Sequence, residues 1–193
     1  MARAGDVLEH PVTGERFVWR KVARDTGGEL LQVDLFVAPG GFAAAEHVHP
    51  KQEERFEVLA GRLQLRLAGQ ERALGVGDQE TVPAGRPHVW WNRGEEELHV
   101  LVEFRPALRS EMFFETFVGL AHDVKTNRRG LPNLLRLSVL MREFSNEVRP
   151  AGIPYVIQVA LLGSLAAIGR LMGYRGWYPR YSQDPLPRDT GRA

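Results

Sequence analysis

Four residues that bind metal ions in many proteins lie in two short stretches of this sequence. The first stretch, EHVHPKQEERFEVLAG, contains His47, His49 and Glu54, and the second, GDQETVPAGRPHVWWN, contains His88. If the first stretch is extended, His47 and His49 point to the same face, because strand side chains alternate. Three imidazoles and one carboxylate suit one Fe, Mn, Ni, Cu or Zn ion and leave coordination positions open for water or substrate. The spacing therefore predicts a mononuclear site for a divalent transition metal.

The residues around these side chains form short candidate β-strands separated by turn-forming residues, and these strands are expected to position the side chains. The candidate strands are RFVWRKVA, LLQVDLFVA, RFEVLA, RLQLRLA, QETV, HVWWN and LHVLVEF. Glycine, proline, aspartate and asparagine occupy the connections, where they preset or tolerate turn conformations. This pattern is typical of all-β sandwiches and barrels. We predict a β-barrel over residues 1–108.

The pattern changes to helical spacing after residue 108. Ser110 is a plausible N-cap, and Phe113 and Phe117 recur at helical spacing behind it. LLRLSVLMREFSNEV predicts a second amphipathic helix that Pro150 ends. The apolar run at 153–169 is shorter than the roughly 20 residues that a membrane span needs, so we interpret it as a buried or interfacial helix. Residues 109–193 are predicted to form an α-helical extension and tail.

Composition narrows the classes of function. The 193 residues include no cysteine, which excludes disulfides and thiolate ligands. The 25 lysines and arginines nearly balance the 24 acidic residues, so the summed charge offers nucleic acid no long-range attraction. The first residues lack an apolar run of signal-peptide length. We expect a cytoplasmic protein that binds no nucleic acid, and membrane association is not favoured.

The two stretches also resemble the paired motifs of the cupin superfamily. The first is similar to G-x5-H-x-H-x4-E-x6-G, and the second to G-x5-P-x-G-x2-H-x3-N. The matching residues are Gly41, His47, His49, Glu54 and Gly61, followed by Gly77, Pro83, Gly85, His88 and Asn92. The resemblance implies a small β-barrel or jelly roll with a metal in its mouth, and a homodimer. It favours Glu54 over Glu53 as the ligand, but it implies no single reaction.

The expected ligand pocket is apolar. The strand parity set by the metal ligands predicts that Phe56, Val58 and Trp90 line the barrel, and that Leu63 and Leu65 face the same core. Such a lumen disfavours phosphosugars, whose charge requires inward arginine or lysine. His10, His99 and His122 lie outside the motifs, and we interpret them as hydrogen-bonded structural residues.

Two classes of function fit these features. In the first, a metal-dependent enzyme carries out a dioxygenase-type or related lyase reaction on a small, largely apolar oxygenated molecule, with Glu54 as the base. In the alternative, the protein is a non-catalytic ligand-binding cupin that signals through its C-terminal helices. In the first class, we expect the barrel alone to hold the metal and the helices to serve packing and assembly.

Overall fold

The computed structural model of the chain describes residues 2–43 and 45–182. Its strands all lie between residues 7 and 150. They are β1 (Val7–Glu9), β2 (Arg16–Lys21), β3 (Leu31–Val37), β4 (His47–Val48), β5 (Glu53–Ala60), β6 (Leu63–Leu67), β7 (Gln70–Leu74), β8 (Gln79–Val82), β9 (His88–Trp91), β10 (Leu98–Arg105) and β11 (Arg149–Pro150). A 3-10 helix, Ala23–Thr26, connects β2 to β3.

The strands form two antiparallel sheets. One has the order β1-β2-β3-β10-β5-β8, and the other has the order β11-β4-β9-β6-β7. Along β5, the side chains of Glu54, Phe56 and Val58 are buried while Arg55 and Glu57 are partly exposed. This period-two burial produces one hydrophobic core between the sheets. The predicted fold class, a mainly β barrel or jelly roll followed by helices, is confirmed.

All seven strands predicted from sequence are present, and four further strands were missed, of which β4 and β11 have only two residues each. β1 has only three residues, too few to show a pattern. β7 pairs with β6, but four of its five residues are exposed, so it lacks the apolar alternation that predicts a strand. β1 and β7 are short edge strands that their neighbours hold in place.

Three helices follow the barrel: α1 (Ser110–His122), α2 (Leu134–Glu143) and α3 (Tyr155–Leu171). Ser110 is not the N-cap of α1; Arg109 holds that position, and the Ser110 hydroxyl instead accepts a hydrogen bond from the Gln52 amide at 2.8 Å. Pro150 does not end α2, which ends at Glu143 and is followed by a turn over residues 144–147. Pro150 itself lies in β11, which pairs with β4.

The third helix, α3, packs on α2 along one face. Gly169 packs so closely on α2 that a Cβ there would lie 2.8 Å from Val139 Cγ2 and 2.9 Å from the Leu135 carbonyl oxygen. Val156 and Leu171 are 79% and 89% exposed, so the helix is not buried as a whole. Within the described residues, no helix combines the length and apolarity that a membrane crossing requires.

The predicted division at residues 108 and 109 stays a prediction. The structure adds that the helical extension contributes a strand to the barrel, since β11 completes the five-stranded sheet beside β4.

Candidate metal centre

Three strands bring the predicted ligands together. His47 lies in β4 directly opposite His88 in β9, and His49 follows β4 on the same face. Glu54 lies near the start of β5 in the facing sheet, where it pairs with Val82 of β8. One ligand atom from each of the four side chains lies within 4.8 Å of the others. The structure thus places all four predicted ligands in one cluster.

The cluster is shielded from solvent and its groups touch. His88 Nε2 lies 2.7 Å from Glu54 Oε2, and His49 Nε2 lies 3.3 Å from the same oxygen. His49, Glu54 and His88 are buried, while His47 is partly exposed at the edge of the cluster. Glu53, the competing carboxylate, is exposed on the opposite face of β5.

The outer hydrogen bonds of the three imidazoles are made by Nδ1, so each ring keeps Nε2 as the nitrogen that could bind a metal. The Nδ1–H groups of His47, His49 and His88 donate to the backbone carbonyls of Ala45, Glu147 and Arg86 at 2.9, 2.6 and 3.1 Å. Such bonds fix the ring orientation and the tautomer of metal-binding histidines. His49 Nε2 is also buried without a hydrogen bond to any described residue. The donor set therefore fits a divalent transition metal held by His47, His49, Glu54 and His88.

The electrostatics indicate a site that needs positive charge. Burial, reinforced by the neighbouring imidazoles, lowers the pKa of His47 to about 3, so this ring is neutral. Burial alone would raise the pKa of Glu54, but His49 and His88 hold it below its usual range. Burial likewise opposes a charged His88, yet the Glu54 carboxylate outweighs it and raises the pKa of His88. The Glu54 carboxylate can only accept hydrogen bonds, and it faces Nε2 of His49 and His88. Because Nδ1 of each ring already carries the proton of the neutral imidazole, a second proton or a metal ion must lie between the carboxylate and these nitrogens.

Other motif residues support the strands that carry the ligands. Gly61 has a φ of 75°, and a Cβ there would lie 2.9 Å from the Glu97 carbonyl oxygen, so only glycine fits the turn after β5. The buried Asn92 amide donates to the carbonyls of Val37 and Glu96 at 2.9 and 2.8 Å. These contacts hold the end of β9, the strand that carries His88.

A cavity of about 250 Å³ opens onto the cluster. Its wall includes three of the candidate metal ligands, His47, His49 and Glu54, together with Trp90. The other predicted pocket residues, Phe56, Val58, Leu63 and Leu65, are buried in the core and are not part of the described cavity wall. That they contact a ligand stays a prediction.

Much of the cavity wall was missed from sequence. It comes from the helices and from the N-terminal strands and the turn between them; the residues include His10, Glu15, Phe17, Phe113, Phe114, Phe117, Leu137 and Met141. The spacing of Phe113 and Phe117 gave the only signal, but it is equally typical of a helix packed on a core. Arg149 also lines the wall, where its Nε donates to the Ser145 carbonyl and its guanidinium lies 3.9 Å from the Tyr155 ring centroid. Nε is the only side-chain donor of Arg149 with a hydrogen bond to a described residue, so the wall does include a basic group, and the sequence-based argument against a phosphosugar is weakened at this point.

The three remaining histidines make structural hydrogen bonds. His99 Nε2 pairs with Asp34 Oδ1 at 2.7 Å, and His122 Nε2 donates to the Glu9 carbonyl at 2.9 Å. His10 accepts two backbone hydrogen bonds, but its ring also lines the cavity.

Comparison with known proteins finds a family model that matches the part of the chain carrying the cluster. Residues 34–104 match the family model described as the cupin domain. A quercetin 2,3-dioxygenase of Bacillus subtilis is 39% identical over 84 residues, which are 40% of this chain and 25% of that protein. An oxidoreductase of Arthrobotrys oligospora is 26% identical over 153 residues, 72% of this chain and 59% of that protein. The matches thus span a quarter and about three fifths of these relatives.

Two solved structures are similar to part of the chain. An RmlC-like cupin from Shewanella frigidimarina has a TM-score of 0.48 and 18% identity, covering 57% of this chain and 92% of that one. KdgF from a Halomonas species has a TM-score of 0.46 and 21% identity, covering 52% of this chain and 86% of that one.

Proposed function

Residues 34–104 of this chain are a cupin domain, and from that premise we propose that the protein is a metal-dependent oxidoreductase of the dioxygenase type. Its substrate would be a small, largely apolar molecule that carries metal-binding oxygens. In such a reaction both atoms of O2 enter the substrate, which is oxidised as the O2 is reduced. A related lyase reaction on the same class of molecule requires the same site.

The observation that carries the proposal is the contact between an apolar cavity and the polar donor cluster. Aromatic and aliphatic side chains of the barrel and of α1 and α2 form most of the cavity wall, while His47, His49 and Glu54 form a polar patch where the wall meets the donor cluster. Binding sites for small molecules combine an apolar wall with a few convergent polar groups in this way. A hydroxylated aromatic or enolisable molecule matches both parts.

Each residue of the site has a defined part in this chemistry. His47, His49, Glu54 and His88 would hold the metal, which when bound supplies a Lewis acid for a substrate hydroxyl and a redox partner for O2. Glu54 is the candidate base for the proton of that hydroxyl, since its second oxygen need not stay on the ion. Phe104 and Phe114 on the cavity wall exclude water from the reacting groups.

The first relative named above supports the class of substrate. Its name states that it acts on quercetin, an aromatic molecule with several hydroxyl groups. Its match covers a quarter of that protein, so quercetin enters here as a test compound.

One observation favours the alternative of a ligand-sensing cupin. Helices α1 and α2 contribute to the cavity wall, and the Glu147 carbonyl just after α2 accepts the Nδ1–H of His49 at 2.6 Å. A ligand in the cavity would therefore touch the helical extension and the metal cluster at once. Such coupling is what a sensor that signals through its helices requires.

Oxygen consumption distinguishes the two functions. We would load the protein separately with Fe, Mn, Ni or Cu and measure O2 uptake with flavonols and β-diketones. An enzyme gives uptake with at least one pair, and His88→Ala abolishes it while His99→Ala, a histidine outside the cluster, does not. Tight binding of these compounds without uptake under any metal would favour the sensor.

A further inference from the structure

Helix α3 has a buried side and an exposed, apolar side. Its buried residues Gln158, Ala166 and Gly169 lie within about 80° of one another around the helix axis, on the side that packs on α2. The other side carries exposed apolar residues along the length of the helix, and we call it the outer face: Val156, Ile157, Leu161, Ile168 and Leu171. Ser164 is also exposed, but its hydroxyl donates to the Ala160 carbonyl at 2.9 Å. Exposed apolar surface of this extent marks an interaction site.

The chain around this helix carries positive charge only. Residues 148–183 include no aspartate or glutamate and four arginines, Arg149, Arg170, Arg175 and Arg180. The excess is local, because the 25 basic and 24 acidic residues of the whole chain nearly cancel. Two of the four arginines are held within the chain, since Arg180 pairs with Asp123 and Arg149 Nε donates to the Ser145 carbonyl at 2.6 Å.

The other two arginines lie at the C-terminal end of α3. Arg170 and Arg175 are both exposed, and no described residue forms a hydrogen bond or an ion pair with either guanidinium group. Together with Trp177 they line a shallow hollow on the surface. Glu143 lines it too, but its carboxylate is neutralised by Arg109 at 3.1 Å. The charges of Arg170 and Arg175 are therefore available to an anion outside the chain.

An apolar face with uncompensated arginines matches an anionic lipid surface better than a second copy of this chain. In a two-fold symmetric dimer each patch faces itself, so copies that meet on the outer face would bring arginines to the contact and no carboxylate from residues 148–183 to meet them. Like charges across an interface are costly. A helix that lies in a membrane surface inserts its apolar face among the acyl chains, while its arginines attract the acidic headgroups.

We propose that the outer face of α3, together with Arg170 and Arg175, docks this protein on an anionic lipid surface, with the helix lying in the plane of that surface. Acyl chains cover the apolar residues, and acidic headgroups pair with the two arginines. The proposal does not rest on the proposed function, because none of these residues belongs to the metal cluster or to the wall of the cavity beside it.

Sedimentation with lipid vesicles tests the docking. The full-length protein would be mixed with vesicles of phosphatidylcholine alone and with vesicles of equimolar phosphatidylcholine and phosphatidylserine, which add negative charge. An arginine near an anionic surface contributes roughly fivefold in affinity. The wild type should therefore bind the mixed vesicles at least about tenfold more tightly, and the preference should shrink as salt screens the exposed charges.

Val156→Asp tests the apolar part of the surface. Val156 is exposed, so the variant should keep its fold, but in the docked helix the new carboxylate would face acyl chains. Binding to the mixed vesicles should fall by roughly tenfold or more. Val76→Asp makes the same change at a residue that is 69% exposed between β7 and β8, and should bind like the wild type. Leu171→Asp, at the other end of α3, serves if Val156→Asp lowers the melting temperature.

A double variant tests the charged part of the surface. Arg170→Gln combined with Arg175→Gln should weaken binding to the mixed vesicles by roughly 25-fold and leave binding to phosphatidylcholine alone unchanged. Arg3→Gln combined with Arg62→Gln removes the same net charge from exposed positions on the barrel. This control should lose little affinity.

Several results would overturn the docking. They are a wild type that binds no mixed vesicles, a wild type that binds both kinds of vesicle equally, and binding that survives either the aspartate variants or the double glutamine variant. A dimer that Val156→Asp dissociates, in a protein that binds no vesicles, would mean that a second copy covers the outer face. None of these measurements depends on O2 uptake, so the docking and the proposed function can fail separately.

Discussion

Nε2 of His88 lies 2.7 Å from Oε2 of Glu54, while the Nδ1–H of the same ring donates to the Arg86 carbonyl. The carboxylate can only accept a hydrogen bond, so either the ring carries a second proton on Nε2 or a metal ion binds between Nε2 and the carboxylate. Protons and a metal ion therefore compete for this pair. The experiments below use that competition.

The first prediction concerns the metal ligands. His47→Ala or His88→Ala should abolish stoichiometric metal binding, because each removes a donor from a four-residue site. The affinity should fall by more than the roughly 10- to 100-fold that follows loss of an outer-shell contact. Metal analysis after dialysis measures this, with His99→Ala as the histidine control. Full occupancy in either cluster variant would contradict the site.

Adjacent glutamates provide a second, matched pair of variants. Glu54 is buried in the cluster and Glu53 is exposed on the other face of β5. Glu54→Gln should lower the metal content because a neutral amide oxygen is a weaker ligand. Glu53→Gln should leave the content unchanged. The opposite ranking would mean that the register of β5 is wrong.

The third prediction is that a chelator lowers the melting temperature more at high pH than at low pH. The raised pKa of His88 gives the metal-free protein stability that is fully present below the ordinary histidine value and is lost as pH rises through the raised value. The metal replaces that proton, so the metal-bound protein gains more stability over the metal-free protein as the pH rises. Melting curves with and without chelator should differ most near pH 8 and converge toward pH 5. A difference that stays constant or widens in acid would contradict this competition.

The fourth prediction concerns a buried carboxyl away from the cluster. Burial raises the pKa of Glu111 to about 7, although the Ala23 backbone N–H donates to it at 3.0 Å. Stability from this group is therefore present below about pH 4.5, the ordinary value, and is lost as pH rises through about 7. One pKa unit corresponds to about 1.4 kcal/mol, so Glu111→Gln should raise the free energy of unfolding by up to about 3 kcal/mol at pH 8. At pH 4 it should change little.

Chemical denaturation at the two pH values measures the effect of Glu111→Gln. Glu29→Gln, at an exposed position, is the control and should behave like the wild type at both. An equal effect of Glu111→Gln at pH 4 and pH 8 would show that packing, and not ionisation, causes it.

The fifth prediction concerns the helical extension. Truncation after Pro106 removes the Glu147 carbonyl that orients His49 and removes β11 beside His47. Metal affinity should then fall by roughly 10- to 100-fold, as for other losses of outer-shell contacts. Calorimetric titration measures it, and truncation after Ser182 is the control. Unchanged affinity in the shorter protein would restore the expectation, drawn from sequence, that the barrel alone holds the metal.

The homodimer expected from the cupin resemblance stays a prediction. The exposed apolar side chains of α3, such as Val156 and Leu171, make this helix the surface to test. Analytical ultracentrifugation of the wild type and of Val156→Asp would show whether a second copy covers it.

The sequence predicted the barrel and the clustering of the four candidate ligands, because strong local signals encode both. Alternating side chains around Glu54 and Phe56 indicate a strand, and histidines two residues apart share its face. The cavity wall was harder to predict, because no local pattern shows that Phe113 of α1 and Glu15 of a β-turn meet in space. The outer contact of His49 was equally hidden, since its partner is a backbone carbonyl 98 residues away, which no side-chain pattern can report.

The hydrogen bond from His49 to Glu147 limits how this protein can be recombined. A chimaera that joins this barrel to another tail would keep every residue of both motifs, yet one imidazole would lose the acceptor that sets its orientation. A tail grafted onto a foreign barrel would likewise carry β11 without its partner strand. Exchange at residue 108, the boundary that a sequence alignment would suggest, should therefore give poor hybrids, and the two parts are expected to be inherited together.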